Sequence, residues 1–418
     1  MDFSIAFAEE QCTYEPRIKV VGVGGSGGNA VTTMMSTGLE GVEFVAINTD
    51  AQALGRCPAP VKLQIGSTVT RGLGAGADPE RGRKAALEDA TRVQELLSGA
   101  DMVFVTAGMG GGTGTGAAPV VAQLAREEGC LCVGVVTKPF QFEGKHRSRL
   151  AVEGLVLLSE QVDSLVTIPN DKLVALEDQD LSLLDAFRRA NEVLYQAVKG
   201  ISDLITHPGI VNVDFADVRT VMSHRGRALM GTGYAKGEGR ARLALELAIS
   251  SPLLDDIAVD GAMGVLMNFV GGPDMRVREV HEAATVIREQ ADEDANIIWG
   301  ASVDESMGDA IKVTVIATGF DAAPRGQAIE PAAVAAERPV LRAQRAALGP
   351  PPAAAAGRSG GEPSPVPASS VRRAPPPLRR PRRRQRVLRP IAWRHSPRPI
   401  RRPLPRSSSA SSRYPLFS

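Results

Sequence analysis

The sequence predicts an α/β protein: a parallel sheet covered by helices on both faces, a long helix, and a second α+β domain. Three observations carry this. Apolar, β-branched runs alternate with helix-compatible stretches between Arg17 and Ile168. Two of those runs end in glycine-rich turns. Helical periodicity then runs without a break from Ser182 to Ile205.

The elements follow in order. Arg17–Gly28 (RIKVVGVGGSGG) reads as a strand, a tight turn and the start of a helix. Val42–Asn48 and Asp101–Ala107 read as strands, the second running into the glycine run 108–116. Ala117–Glu128 reads as a helix, and Leu131–Thr137 and Ser164–Ile168 as further strands. Strands alternating with helices form parallel sheets that are buried on both faces. In the long helix, Ser182 and Asp185 make a capping box. Leu183, Leu184, Phe187, Val193, Leu194, Val198 and Ile201 spread broadly round the cylinder, which predicts burial between two layers. A helix begins within Val213–Met222 and another covers Gly239–Ser250. Gly264–Val270, Ile297–Ala301 and Ile311–Thr318 read as the strands of the second domain. The predicted organisation is a flexible 1–16, a nucleotide domain over 17–181, the helix over 182–206, a second domain over 207–320, and a disordered 321–418.

Composition divides the chain differently. Its 418 residues carry a formal charge of +1. Residues 338–418 hold 19 Arg and a single acid, Glu362, giving +18, so the preceding part carries −17. The tail also holds 17 of the 29 prolines. Such a segment cannot bury enough apolar surface to offset ordering. Three readings of it stand: a binder of anionic lipid or nucleic acid, a solvated spacer, or a GC-rich gene read out of frame. No apolar run is long enough to span a membrane, and MDFSIAFAEEQ does not read as a secretory signal. Four cysteines do not make a disulfide framework, and Cys130 and Cys132 share one face of a strand. A reducing cytoplasm is the expected setting.

The chemistry lies in the glycine turns. Both follow strands, so both sit at the C-terminal edge of a parallel sheet, where ligands bind. Glycine admits close approach to an anion, and N–H groups at a helix start point at it. Two such turns suit a polyphosphate. Gly22-Val-Gly24-Gly25-Ser-Gly27 alone also fits a dinucleotide oxidoreductase, with Glu43 or Asp50 on the ribose. The second turn, six glycines and two threonines in nine residues, goes beyond that fold's need, and no G-x-x-x-x-G-K-[ST] is present.

The motifs GVGGSGGNAV, NTDAQAL, GLGAGADPE, AGMGGGTGTGAAPVVA, VVTKPFQFEGKHR, TIPNDKL, SLLDAF and NVDFADVRTVMS resemble the tubulin-related, bacterial cell-division GTPases of the FtsZ family. The likeness runs from about Lys19 to Phe320 and implies a tubulin-like fold. It implies GTP and GDP as ligands with Mg²⁺, and no metal site of protein ligands alone. It places Gly25, Ser26, Gly27, Gly28 and Asn29 at a phosphate-proximal turn, and Gly110, Gly111, Gly112, Thr113 and Gly114 in a triphosphate cradle. Ala75, Gly76 and Ala77 match a loop that senses the terminal phosphate, and Asn48 and Asp50 a loop near the nucleotide. Glu143 and Arg147 match residues on the ribose and phosphate side, and Asn170, Phe187 and Asn191 the guanine end. Phe187 and Asn191 share a helix face, which suits a purine, although core packing accounts for that spacing equally well. Ser26 stands where the family carries glycine; serine reaches positive φ less freely, so nucleotide binding is expected to survive and its affinity is left open.

Asn212, Asp214 and Asp217 match the family's catalytic loop. Asp214 and Asp217 are three apart at a helix start, so they can orient a water and a cation; a helix-terminus charge explains Asp217 as simply. The long helix carries this loop to the opposite end of the first domain, so in the family it completes a neighbour's site. The resemblance therefore implies head-to-tail filaments, a midcell ring in the cytoplasm, and recruitment of division proteins and membrane tethers. The acidic-apolar docking peptide that the family carries at its end is not found here.

Overall fold

The first strand, β1 (Ile18–Val23), passes directly into helix α1 (Gly24–Ser36). The expected turn between them is the first turn of that helix. The chain continues through β2 (Val42–Asn48), α2 (Ala51–Arg56), β3 (Val61–Gln64), α3 (Ser67–Thr70), α4 (Pro79–Glu88) and α5 (Ala90–Leu97). Next come β4 (Met102–Gly108), α6 (Thr113–Glu127), β5 (Leu131–Lys138), α7 (Lys145–Ser159), β6 (Ser164–Pro169) and α8 (Asn170–Ala175). The long helix is α9 (Leu183–Thr206), followed by α10 (Phe215–Met222) and β7 (Gly226–Lys236). The last elements are α11 (Arg240–Ile249), β8 (Gly264–Gly271), α12 (Val277–Gln290), β9 (Asn296–Val303) and β10 (Ala310–Thr318). This computed structural model describes residues 15–175, 182–207, 209–224, 226–254, 261–292 and 294–320. The expectations for 1–14 and for the 321–418 tail lie outside the described residues.

The strands form one ten-stranded sheet in the order β3-β2-β1-β4-β5-β6-β7-β10-β8-β9. From β3 to β6 every pairing is parallel. Strand β7 joins the two halves: Gly226–Ala228 pair parallel with Ser164–Val166, and Leu229–Lys236 pair antiparallel with β10. The sequence reading missed β7. Its GRALMGTGYAK alternates weakly and carries three glycines, which depress strand propensity.

Both faces of the parallel half are covered, as the near-continuous apolar runs of β4 and β5 require. Ala30, Val31 and Met34 of α1 share one core with Phe104, Val133 and the inner face of α9. Helices α4 to α7 cover the opposite face. Cys130 and Cys132 are buried in that second core as free thiols. Burial pushes the Cys132 thiol far above its ordinary range, which leaves it inert packing.

Helix α9 is sandwiched between layers from Ala190 onward, where Val198 and Ile201 are fully buried beside Leu266 of β8 and Ile316 of β10. Its first turn departs from expectation: Leu183 and Leu184 are each 61% exposed. Periodicity shows which positions share a face, but not where the covering layer stops. Ser182 caps the helix as expected, its Oγ accepting the Asp185 N–H.

Candidate functional site

Two helix starts meet at the C-terminal edge of the sheet. Neither α1 nor α6 has a side-chain cap, so their first N–H groups lack the usual partner. Gly24 lets them approach: its φ is +77°, and a Cβ there would sit 2.8 Å from the Gly114 nitrogen. Ser26 does not strain this turn. It lies within α1, and the only non-glycine residues with positive φ among the described residues are Arg71 and Ala77. The question that Ser26 raised about affinity therefore loses its conformational basis, because the position calls for helical geometry that serine adopts freely.

The two starts line a cavity of about 240 Å³. Gly25, Ser26, Asn48, Asp50, Ala75, Gly76, Ala77, Gly111, Gly112, Thr113, Gly114 and Arg147 all face it. A second cavity of about 290 Å³ adjoins it and is lined by Gly25, Gly28, Asn29 and Asn48, among others. Gly27 is buried within the first turn of α1, and Gly110 borders the cradle, its N–H donating to Thr115 Oγ1 at 2.8 Å. Asp50 caps α2, with Oδ1 accepting from Gln52 N at 2.9 Å and Ala53 N at 3.0 Å. The loop carrying Ala75–Ala77 is seated on the cradle: a Cβ on Gly112 would lie 2.8 Å from both Ala75 Cβ and Asp78 N. Val23, Ala53, Gly74 and Gly108 also line the cavity and were not assigned to the site from sequence. All four stand inside the quoted motifs, so the signal was present.

Arg147 connects this cavity to a second group. Its guanidinium pairs with Glu143 at 2.9 Å. Glu143 ends a short 3-10 turn before α7 rather than opening the helix, and its carboxylate also accepts the Phe140 N–H at 3.0 Å. The Phe140 ring meets Phe187 edge-on, with centroids 5.2 Å apart. Asp171, next to Asn170, accepts the Gln141 N–H at 2.9 Å. Asn170, Phe187 and Asn191 thus lie outside the lining of the two cavities, and Phe187 is linked to it through Phe140, Glu143 and Arg147. Phe187 is 40% exposed, so it is not an ordinary core residue. Asn170 is 4% exposed and its Oδ1 has no partner; Arg147 Nε is also buried without one. A buried polar atom without a partner is costly. Uncapped N–H groups, a glycine cradle and these orphaned atoms together fit an anionic, polar ligand.

Asn212, Asp214 and Asp217 are elsewhere. All three are exposed. Asp214 caps α10, its Oδ1 accepting the Asp217 N–H at 2.8 Å, and Asn212 Oδ1 accepts the Gly209 N–H. Arg219 of α10 donates to the Gly129 carbonyl at 3.0 Å, just past the far end of α6. That helix starts at the cradle and has 15 residues, so the two regions are separated by roughly 20 Å or more. The structure therefore does not bring these residues to the cavity of their own chain.

The sequence matches the GTPase domain of the Tubulin/FtsZ family over residues 17–178 and the C-terminal domain of the FtsZ family over 226–321. An empty FtsZ dimer from M. jannaschii is 45% identical, with 74% of this chain and 90% of that chain covered and a TM-score of 0.71. The chain belongs to the tubulin/FtsZ family. A point mutant of the M. jannaschii FtsZ gives 46% identity over 73% of this chain and 91% of its own, with a TM-score of 0.70. CetZ2 from Haloferax volcanii shares the fold at 24% identity, over 74% and 95% of the two chains, with a TM-score of 0.64. Membership makes this chain a guanine-nucleotide-binding GTPase, and the FtsZ C-terminal domain places it on the FtsZ branch. It also removes the dinucleotide oxidoreductase as an alternative.

Proposed function

We propose that this GTPase polymerises head to tail, and that each nucleotide site is completed by the Asn212–Asp217 segment of the next copy. The observation that carries this is the placement of Asn212, Asp214 and Asp217, exposed at the end of the molecule opposite the glycine cradle. A contact between opposite ends is heterologous and builds open filaments. The M. jannaschii relative forms a dimer and the CetZ2 fold relative a protofilament. The filaments would form the division ring at midcell in the cytoplasm and recruit division proteins and membrane tethers. Among the described residues no helix is long and apolar enough to cross a membrane.

In this reading the first turn of α1 and Gly110–Gly114 hold the phosphates, and Ala75–Ala77 sense the terminal one. Asn48, Asp50, Glu143 and Arg147 flank the nucleotide, and Asn170, Phe187 and Asn191 hold guanine by hydrogen bonds and stacking. Asp214 and Asp217 of the neighbour orient the attacking water, the positioning that phosphoryl transfer mainly requires. Mg²⁺ fits this set. No group of three metal-ligating side chains exists among the described residues, but Mg²⁺ needs only one or two carboxylates beside nucleotide phosphates and water. Asp50 lines the cavity and has Oδ2 left over from capping. When bound, the ion neutralises phosphate charge.

The test is GTP turnover per molecule against protein concentration. Turnover should collapse below the assembly threshold; a rate that stays constant into very dilute protein would overturn completion in trans. The basic tail has its own reading, as a binder of anionic lipid or nucleic acid. Truncation before Arg338 should abolish salt-sensitive retention on anionic vesicles or DNA, and unchanged retention would remove the tail from that role.

A further inference from the structure

We propose that Thr49 is a positioning residue for nucleotide binding, whose hydroxyl donates to Thr113 and so frees the Thr113 proton to face the phosphates. The inference rests on the reading of Thr113 as part of the phosphate cradle. Thr113 is the first residue of α6 and lines the 240 Å³ cavity. Thr49 does not line it; it is fully buried between Asn48 and Asp50. Their Oγ1 atoms are 2.6 Å apart, a close hydroxyl pair.

Proton accounting decides the direction of that bond. Each hydroxyl has one proton to give. If Thr113 donated, the Thr49 proton would be left in a fully buried place, where its hydroxyl makes no other hydrogen bond. An unmade buried bond costs the full desolvation of the donor. With Thr49 as donor, its proton is satisfied and the Thr113 proton is released. Thr113 opens a helix, so it has no carbonyl one turn back within that helix to accept its proton. The cavity is the remaining direction, and an anion there is the acceptor that fits. Accepting one hydrogen bond also strengthens the one Thr113 gives.

Thr49 is itself held in place. Thr70 Oγ1 shares its one proton between Gly66 O at 2.9 Å and the Thr49 carbonyl at 3.3 Å, the first being the stronger contact. Thr70 ends α3, from which the chain runs directly into the loop carrying Ala75–Ala77. Thr49 thus ties the start of the sensing loop to the cradle.

The test measures binding of a fluorescent GDP to full-length protein kept too dilute to assemble. Thr49→Val should weaken it about 3- to 10-fold, Thr49→Ser should stay within about twofold of wild type, and Thr49→Val/Thr113→Val should match Thr113→Val alone. Melting without nucleotide checks that each variant folds. If Thr49→Val does not fold, Thr49→Cys, with a weak donor in place of the hydroxyl, is held to the same thresholds. Unchanged binding in Thr49→Val, a Thr49→Ser as defective as Thr49→Val, or additive losses in the double variant would each overturn the proposal. A Thr113→Val without effect overturns the cradle reading itself, which the other outcomes leave standing.

Discussion

Single side chains here have two jobs that one substitution can confuse. Asp214 is both a candidate for orienting water and the cap of α10. Alanine would remove charge and cap together, the cap being worth about 1 kcal/mol. Asparagine caps as well as aspartate, so Asp214→Asn isolates the charge. It should bind GTP and sediment like wild type while losing at least about 100-fold in turnover; a rate within twofold would clear Asp214 of the chemistry. Gly24 poses a different question, one of space. Gly24→Ala meets both the positive φ and the Gly114 nitrogen, so nucleotide binding should fall by more than about tenfold, read by equilibrium titration. The sequence exposed these residues through their motifs. It could not show that Asp214 caps α10, because capping depends on where the helix begins.

Helix α9 shows what periodicity reads and what it misses. Its apolar positions were legible, yet Leu183, Leu184 and Phe187 are exposed and only those from Ala190 onward line the core. Ile201→Ala should cost about 2–5 kcal/mol in urea unfolding, and Leu184→Ala less than about 0.5 kcal/mol. Equal costs would mean that the first turn is packed. In the second domain, buried Arg240 bridges Asp274 at 2.8 Å and Glu279 at 3.0 Å, joining α11 to the start of α12. Burial works against ionisation of Glu279, but hydrogen bonds from Arg240 and the Arg276 N–H outweigh it and hold the carboxyl below its ordinary range. A lowered folded value means that the stabilisation is fully present above the unfolded value of about 4.3 and is lost as pH falls through the folded value. The Tm gap between wild type and Glu279→Gln should therefore be constant near neutrality and close as pH drops below about 4. A gap that persists at lower pH would assign the effect to packing.

At the scale of the whole molecule, the function is written in the separation of two surfaces. The ten-stranded sheet fixes the glycine loops at one edge, and α9 carries the chain past that sheet to deliver Asn212–Asp217 at the other. In the proposed reading, activity therefore belongs to the contact between copies. The opposite charges of body and tail belong to this scale too. Without residues 338–418 the chain carries −17, so the truncated protein should assemble less readily at low salt and recover as salt screens its self-repulsion. Light scattering across a salt series measures this; equal thresholds at every salt would show that the tail charge has no part in assembly.

The sequence by itself determined the class of the chain and pointed to the glycine turns and loops that line the cavities, because these are local patterns with local physical causes. It did not reveal β7, whose glycine-rich strand is stabilised by neighbours on both sides rather than by its own propensity. Nor could it place Thr49, whose role arises from a contact with a residue 64 positions away. Tertiary structure decided those points, since hydrogen-bond partners and covering layers are set by which distant segments meet, and that information is not carried by any one stretch of chain.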